Sequence, residues 1–257
     1  MSMETTDWPP LDSAADGGTI ESLHLLLQLI GKLPVRLHPW VNHGWHVSLR
    51  MTPRGAVTRL LPAGGRSFMV ELDFLAGAIH VGCESGAGED LPVAGKVIAT
   101  VQRELAALLG RLGLPAPLHG APNEVPDPIP FADDDRPREW DADAARRLHA
   151  AFLHADRNFN IFRALYRAKC SPSHLFWGSF DLAVTRFSGR TAPVHPGGIP
   201  HLPDAVTRDA YSHEVISAGF WPGGGGYDDA AFYAYAYPTP DGLAPGEITP
   251  GSAFSSA

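Results

Sequence analysis

Four histidines carry the strongest chemical signal in this chain: His43, His46, His174 and His213. A neutral imidazole ligates zinc, iron or nickel, and it moves protons near neutral pH. His43 and His46 are three residues apart, which places both on one side of a helical turn but on opposite faces of a strand. Glu214 adjoins His213, and a carboxylate there can complete a metal set. In a strand, however, the two neighbours face opposite ways. Two chemistries follow. His43, His46 and Glu214 are candidate ligands for a divalent transition metal. His174 and His213, with Asp181, are candidate acid–base groups that need no metal. The competing reading is that these histidines are hydrogen-bonded core residues packed among Trp40, Trp45, Trp177 and Trp221.

A site of this kind also needs walls and an anchor. Trp45, Trp177, Trp221 and Tyr235 are candidate walls that exclude water, and Arg50 and Arg186 are candidate anchors for an anionic group. Arg186 falls on the apolar face of Phe180, Leu182 and Val184, where a buried guanidinium needs a carboxylate such as Glu214 or a substrate. Tyr233, Tyr235 and Tyr237 share one strand face, as a pocket wall or as an exposed stripe. Cys170 lies four residues before His174, but Pro172 between them spoils the helical geometry a thiol–imidazole pair would use. The phosphate-loop, dinucleotide-binding, nucleophile-elbow and HExxH signatures are all absent. Gly223 to Gly226 reads as a hairpin loop rather than a phosphate cradle.

Composition narrows the class. The 257 residues carry 20 Lys and Arg against 28 Asp and Glu, a net charge of -8, and only three lysines: Lys32, Lys96 and Lys169. Phosphate backbones are held by clustered basic residues, so nucleic acid is not an expected partner. The longest apolar stretch, Leu23 to Ile30, is far short of the ~20 residues of a membrane span, so no membrane partner is expected. Cys83 and Cys170 form no CxxC pair and read as reduced thiols. Met1 to Asp16 is acidic, unlike a secretory leader, and the expected location is cytoplasmic. With Gly 27 and Pro 24 the chain is rich in turns, which argues against a helical bundle.

The elements that must position these groups can be read from periodicity. After an irregular lead-in, Thr19 caps a helix to Gly31 that Pro34 stops, apolar on nearly every side and therefore buried. From Val35 the period changes to two, and the alternation of His46, Ser48, Arg50 and Thr52 with Val47, Leu49 and Met51 predicts a half-buried strand, then a turn at Pro53-Arg54-Gly55. Further strands are predicted at Ser67 to Leu75, with Phe68, Val70, Leu72 and Phe74 on one face, and at Ala78 to Cys83. An amphipathic helix follows at Lys96 to Leu112, closed by Gly113. Seven prolines between Pro115 and Pro137 predict an extended linker, 115–139, laid over the surface. A long helix at about Asp143 to Lys169 presents Leu148, Phe152, Ala155, Phe159, Phe162 and Tyr166 as a continuous seam. Strands return at Phe176 to Phe187, Tyr211 to Phe220 and Ala230 to Tyr237.

His43-Gly-Trp-His46-Val-Ser48-Leu-Arg50 aligns with His174-Leu-Phe-Trp177-Gly-Ser179-Phe-Asp181 at a constant offset. The expectation is one α+β unit over 1–257: an antiparallel sheet built from two similar halves, 19–114 and 140–257, with long helices packed on it. On that scheme the two His-bearing turns approach each other, and Arg50 and Asp181 occupy equivalent places.

Four segments are also familiar as a set: Trp40-Val-Asn-His43-Gly-Trp-His46, Lys169 through Arg190, Tyr211-Ser-His213-Glu214 through Gly223, and Pro126-Asp-Pro-Ile-Pro-Phe131. Together they resemble a bacterial family catalogued only as a domain of unknown function, over about Trp8 to Phe254. The resemblance implies no activity. It also suggests a shortened or altered C-terminus, because Ala253 to Ala257 has no room for the further helix that family members carry. The functional expectation therefore rests on the residues: an enzyme acting on a small, anionic molecule in a His-rich cleft between the halves, by metal or acid–base chemistry. The alternative is a non-catalytic binding or oligomer-forming module, pairing with its own copies, whose His and Trp residues are core.

Overall fold

The protein is described by a computed structural model, and the description covers residues 8–223 and 229–242. The Gly224 to Gly226 part of the glycine loop and the C-terminal Ala253 to Ala257 lie outside the described residues.

The first helix, α1 (Ser13–Leu37), begins earlier and ends later than its apolar run predicts. Asp12 is the N-cap, accepting from the amides of Ala14 (2.9 Å) and Ala15 (3.2 Å). Thr19 is buried within the helix, where its Oγ1 accepts from Asp141 N at 2.8 Å. Pro34 sits inside the last turn rather than stopping it. A proline loses only its own amide bond there, and burial of Leu33 and Pro34 holds the turn. Leu23, Leu27, Leu29, Ile30 and Leu33 are all fully buried, so α1 is the central helix that its all-round apolarity requires.

The chain then makes a 3-10 turn (Asn42–Gly44), and of the strand predicted over His46 to Thr52 only β1 (Arg50–Met51) forms, followed by short strands β2 (Gly55–Val57) and β3 (Leu61–Ala63). β4 (Arg66–Asp73), β5 (Ala78–Cys83) and β6 (Gly88–Pro92) complete an antiparallel sheet of order β1-β2-β4-β5-β6, with β3 also on β4. The period of two is realised in the register Phe68↔Cys83, Val70↔Val81 and Leu72↔Ile79, which stacks the buried side chains on one face. α2 (Ile98–Arg111) packs against β6 and α1.

Residues 115–139 contain no helix or strand, as the prolines predict, but they do not merely cover the surface. Phe131 is fully buried and Asp134 is 1% exposed, paired with Arg138 and Arg136. The segment threads through the interior and brings its own side chains to the centre. α3 (Ala142–Ala164), capped by Asp141, then lies between α1 and the second sheet. That sheet has the order β10-β9-β8-β7, built from β7 (His174–Phe176), β8 (Asp181–Thr191), β9 (His213–Trp221) and β10 (Ala231–Tyr237). A short helix, α4 (Asp204–Ala210), precedes β9 and packs on the 3-10 turn.

The molecule is α+β with two antiparallel sheets, not one. Strand number and order differ between them, so the aligned His-bearing segments are not halves of a structural repeat. His43 lies in a turn, whereas His174 lies in β7. The two segments do meet: Leu49 and Leu175 exchange backbone hydrogen bonds, each at 2.9 Å. That bridge stitches the sheets together, and one hydrophobic core runs across both.

Candidate functional site

A cavity of about 670 Å³ opens where the second sheet, the 3-10 turn, α4 and the Pro-rich segment converge. Most of its lining is apolar, with Trp45, Trp177, Trp221, Tyr233 and Tyr235 as aromatic walls. Its polar end is built around two carboxyl groups, Asp181 and Glu124.

Asp181 opens β8, directly after the four-residue turn Trp177–Phe180 that joins it to β7. It is buried and accepts hydrogen bonds from Ser179 Oγ and Tyr233 Oη. Tyr233 reaches it from β10 by lying across Gly219 of β9, its register partner, where any Cβ would collide with the phenol ring. Burial pushes the Asp181 carboxyl above the ordinary range against the opposing pull of the two hydroxyl donors.

Glu124 comes from the Pro-rich segment and lies against Gly178 of the same turn, so closely that a Cβ at Gly178 would meet its Oε1. Burial, and then the nearby Asp181 charge, raise its pKa to about 7. Among the described residues no Lys, Arg or His forms an ion pair with either carboxyl.

A polar stripe on α1 holds this end in place. His24 Nε2 donates to the carbonyls of Trp177 (2.9 Å) and Gly178 (3.0 Å), with its ring stacked on Phe180. Gln28 Nε2 donates to Asn123 O (2.7 Å) and Gly178 O (3.1 Å), and its Oε1 accepts from Asn123 N (3.0 Å). Gln28 thus clamps the Glu124 segment to the Asp181 turn. Lys32 Nζ donates to Asn123 Oδ1 and sits over the Trp177 ring at 5.1 Å, and burial lowers its pKa to about 8. Gly31 is where α1 admits Trp177: a Cβ there would stand 2.5 Å from the indole. The indole Nε1 donates to Val47 O at 2.9 Å.

Backbone strain concentrates here as well. His43 (φ 61), Glu124 (φ 57) and Phe180 (φ 64) all occupy the left-handed region, which a bulky side chain rarely adopts. Such conformations persist where the surroundings impose them, and they cluster at functional sites.

The histidines are gathered only in part. His43 and His46 both line the cavity, although no regular helical turn spans them: His43 has a left-handed backbone and the 3-10 turn ends at Gly44. His43 Nδ1 donates to Ala210 O (3.0 Å), and its backbone amide donates to Asp209 Oδ2 (2.6 Å), fixing the turn to α4. Its ring centroid lies 6.1 Å from that of His213. His46 is buried and accepts from Val41 N (3.2 Å), and burial lowers its pKa. His174 stands behind the wall: its Nδ1 donates to Ser48 Oγ at 3.0 Å, whose own proton goes to Trp45 O (3.0 Å). Burial depresses the His174 pKa to about 4, so this imidazole is neutral. His174 and His213 do not line the cavity.

The other candidates divide similarly. Asp181, Trp45, Trp177, Trp221 and Tyr235 all face the cavity. Arg50 is exposed on the edge strand β1 and lines none of it. Arg186 stacks on the Phe162 ring at 3.4 Å and donates to the Phe162 carbonyl, so aromatic stacking and a backbone oxygen take the place of the expected carboxylate. Glu214 is bound by Arg190 (2.5 Å) and Ser188 (2.8 Å), and the Arg190 guanidinium holds its carboxyl below the usual range. It therefore does not join His43 and His46. Among the described residues no three His, Cys, Asp or Glu side chains assemble as a metal set.

The residue missed from sequence is Glu124, one acid among several in a stretch read only as a Pro-rich linker. The α1 stripe was open to detection, since His24, Gln28 and Lys32 recur every four residues in an otherwise apolar helix.

Against known proteins, the chain matches a family described as a family of unknown function (DUF5996) over residues 8–257, and it belongs to that family. No curated protein and no solved structure matches it.

Proposed function

We propose that this member of a family without an assigned activity is a small-molecule enzyme that works by acid–base chemistry at the Asp181–Glu124 pair. The observation that carries this reading is two neighbouring carboxyls, both shifted toward protonation, facing one aromatic cavity. Catalytic groups need pKa values near the working pH, and burial beside a like charge supplies that shift. Glu124, titrating about neutrality, is the group to take a proton from a bound molecule. Asp181, which burial also shifts toward protonation, is the group to return one, so the pair ends a turnover with the proton count unchanged. Lys32 and His43 stand on the same lining and supply a further amine and imidazole.

This reading moves the chemistry from the histidines to the carboxyls. The alternative reading, in which the histidines and tryptophans are core, is favoured for His174, His24 and Trp177 by their buried backbone and hydroxyl partners. It does not account for buried carboxyls without cations. Both cysteines are free, which supports a reducing cytoplasmic setting. No helix among the described residues is long and apolar enough to cross a membrane.

The test is a fragment screen by ligand-observed NMR in D₂O, run on the wild type, on Glu124→Gln and on the cavity-filling variants Ala210→Trp and Leu202→Trp. The expected result is fragments that bind the wild type, lose binding in both filled variants, and exchange or convert in a Glu124-dependent way. Fragments that bind the filled variants equally well would overturn the assignment.

A further inference from the structure

Resting on the reading just given, we infer that the molecule bound in this cavity presents a cationic nitrogen, an ammonium or amidinium group, to Asp181 and Glu124. Three observations independent of titration converge on it. First, the two carboxyls have hydrogen-bond donors, but no described Lys, Arg or His pairs with them. Buried carboxyls without a partner cation are stabilised in their charged form by a positive charge brought in from outside. Lys32, the lysine on the lining, turns its amine to Asn123 and the Trp177 face instead.

Second, the walls beside the pair are the ring systems that hold cations. Trp177 and Trp221 border it, and Tyr233 and Tyr235 stack nearly parallel to each other (15° between planes). Indole and phenol faces attract cations through their quadrupole. Trp221 is held in place by its own Nε1 donating to Ser179 O at 3.0 Å.

Third, neither arginine expected to anchor an anion reaches the lining. Arg186 is committed to Phe162, and Arg50 is exposed elsewhere. An anionic substrate group would thus meet two carboxyls and one amine already engaged. The net charge of -8 also favours encounter with cations. The rest of the ligand is apolar, to match the aliphatic side contributed by Ile199, Leu202 and Val206.

The experiment uses matched triads of fragments, each a single aromatic or aliphatic body carrying an ammonium, a hydroxyl or a carboxylate. Phenethylamine, 2-phenylethanol and phenylacetate form one such triad. Dissociation constants are measured by NMR titration with the full chain and with Ala210→Trp, Leu202→Trp and Glu124→Gln. The inference predicts that ammonium members bind at least tenfold tighter than their hydroxyl partners, that carboxylates bind weakest, and that Glu124→Gln removes most of the ammonium advantage. Hydroxyl or carboxylate members that bind as well as ammonium, and are excluded by the filled variants, would overturn the cationic class while leaving the cavity as the site. If no member distinguishes the wild type from the filled variants, the cavity itself is not the site and both readings fall.

Discussion

At the scale of single residues, Glu124 carries a cost that the fold must meet elsewhere. Its folded pKa of about 7 lies above the ordinary 4.5, so the native state keeps a proton that the unfolded chain releases. The sign follows: this group is neutral to stability below about pH 4.5 and subtracts from it progressively as pH rises to 7. Glu124→Gln removes the penalty. The variant is expected to be more stable than the wild type at pH 8, by about 2 kcal/mol after allowance for solvent screening. Near pH 4.5 the two should be equal. Urea unfolding at the two pH values measures the difference. His174 has the opposite sign, since burial lowers its pKa to about 4 and stability is lost as pH falls from 6.5 toward that value. Because both proteins keep His174, its contribution cancels in the comparison. A buried carboxyl and a buried imidazole are thus told apart by the direction in which pH moves stability.

At the scale of elements, α1 does two jobs on two faces. Its leucines and isoleucines build the core, while His24, Gln28, Gly31 and Lys32 fix the turn that carries Trp177 and Asp181. Gly31→Ala tests the second job. The added methyl would press on the indole, and overpacking costs about 1–3 kcal/mol, offset by up to about 1 kcal/mol of helix propensity. A net loss of about 1 kcal/mol is expected, together with a shifted tryptophan emission maximum. The helix itself was legible in the sequence because an apolar run of that density needs no context. Its ends were not. Asp12 outcompetes Thr19 as the cap by accepting from two amides, and the buried last turn carries the helix past Pro34. The strands with a buried face, such as Phe68 to Phe74, were legible for the same reason that they are stable. The alternation at His46 to Thr52 misled because its buried side chains are held by a turn and the bridge to Leu175, with only Arg50 and Met51 in a strand.

At the scale of the whole molecule, the site exists only because distant segments are threaded to one place. The 3-10 turn, the Pro-rich segment, the β7–β8 turn, α4 and β10 each contribute to one lining. The motif residues of the β7–β8 region were visible as chemistry, and Asp181 with the three tryptophans does face the cavity. What the sequence could not show was that residues 115–139 run inward. Proline spacing encodes an extended path but not its depth, and burial of Phe131 and the Asp134–Arg138 pair decides it. Nor does a residue alignment reveal that two similar segments pair with each other instead of repeating a fold. The central claim is that this convergence creates a pair of buried carboxyls, both shifted toward protonation, with Glu124 at about 7. Carbon-13 NMR titration of the side-chain carboxyls in the wild type tests it most directly, with Glu124→Gln and Asp181→Asn assigning the signals. The account predicts a Glu124 resonance that titrates at about pH 7 and an Asp181 resonance that keeps its proton above the ordinary aspartate range. If both instead titrate with the surface carboxylates, at roughly pH 3.5–4.5, the account is contradicted.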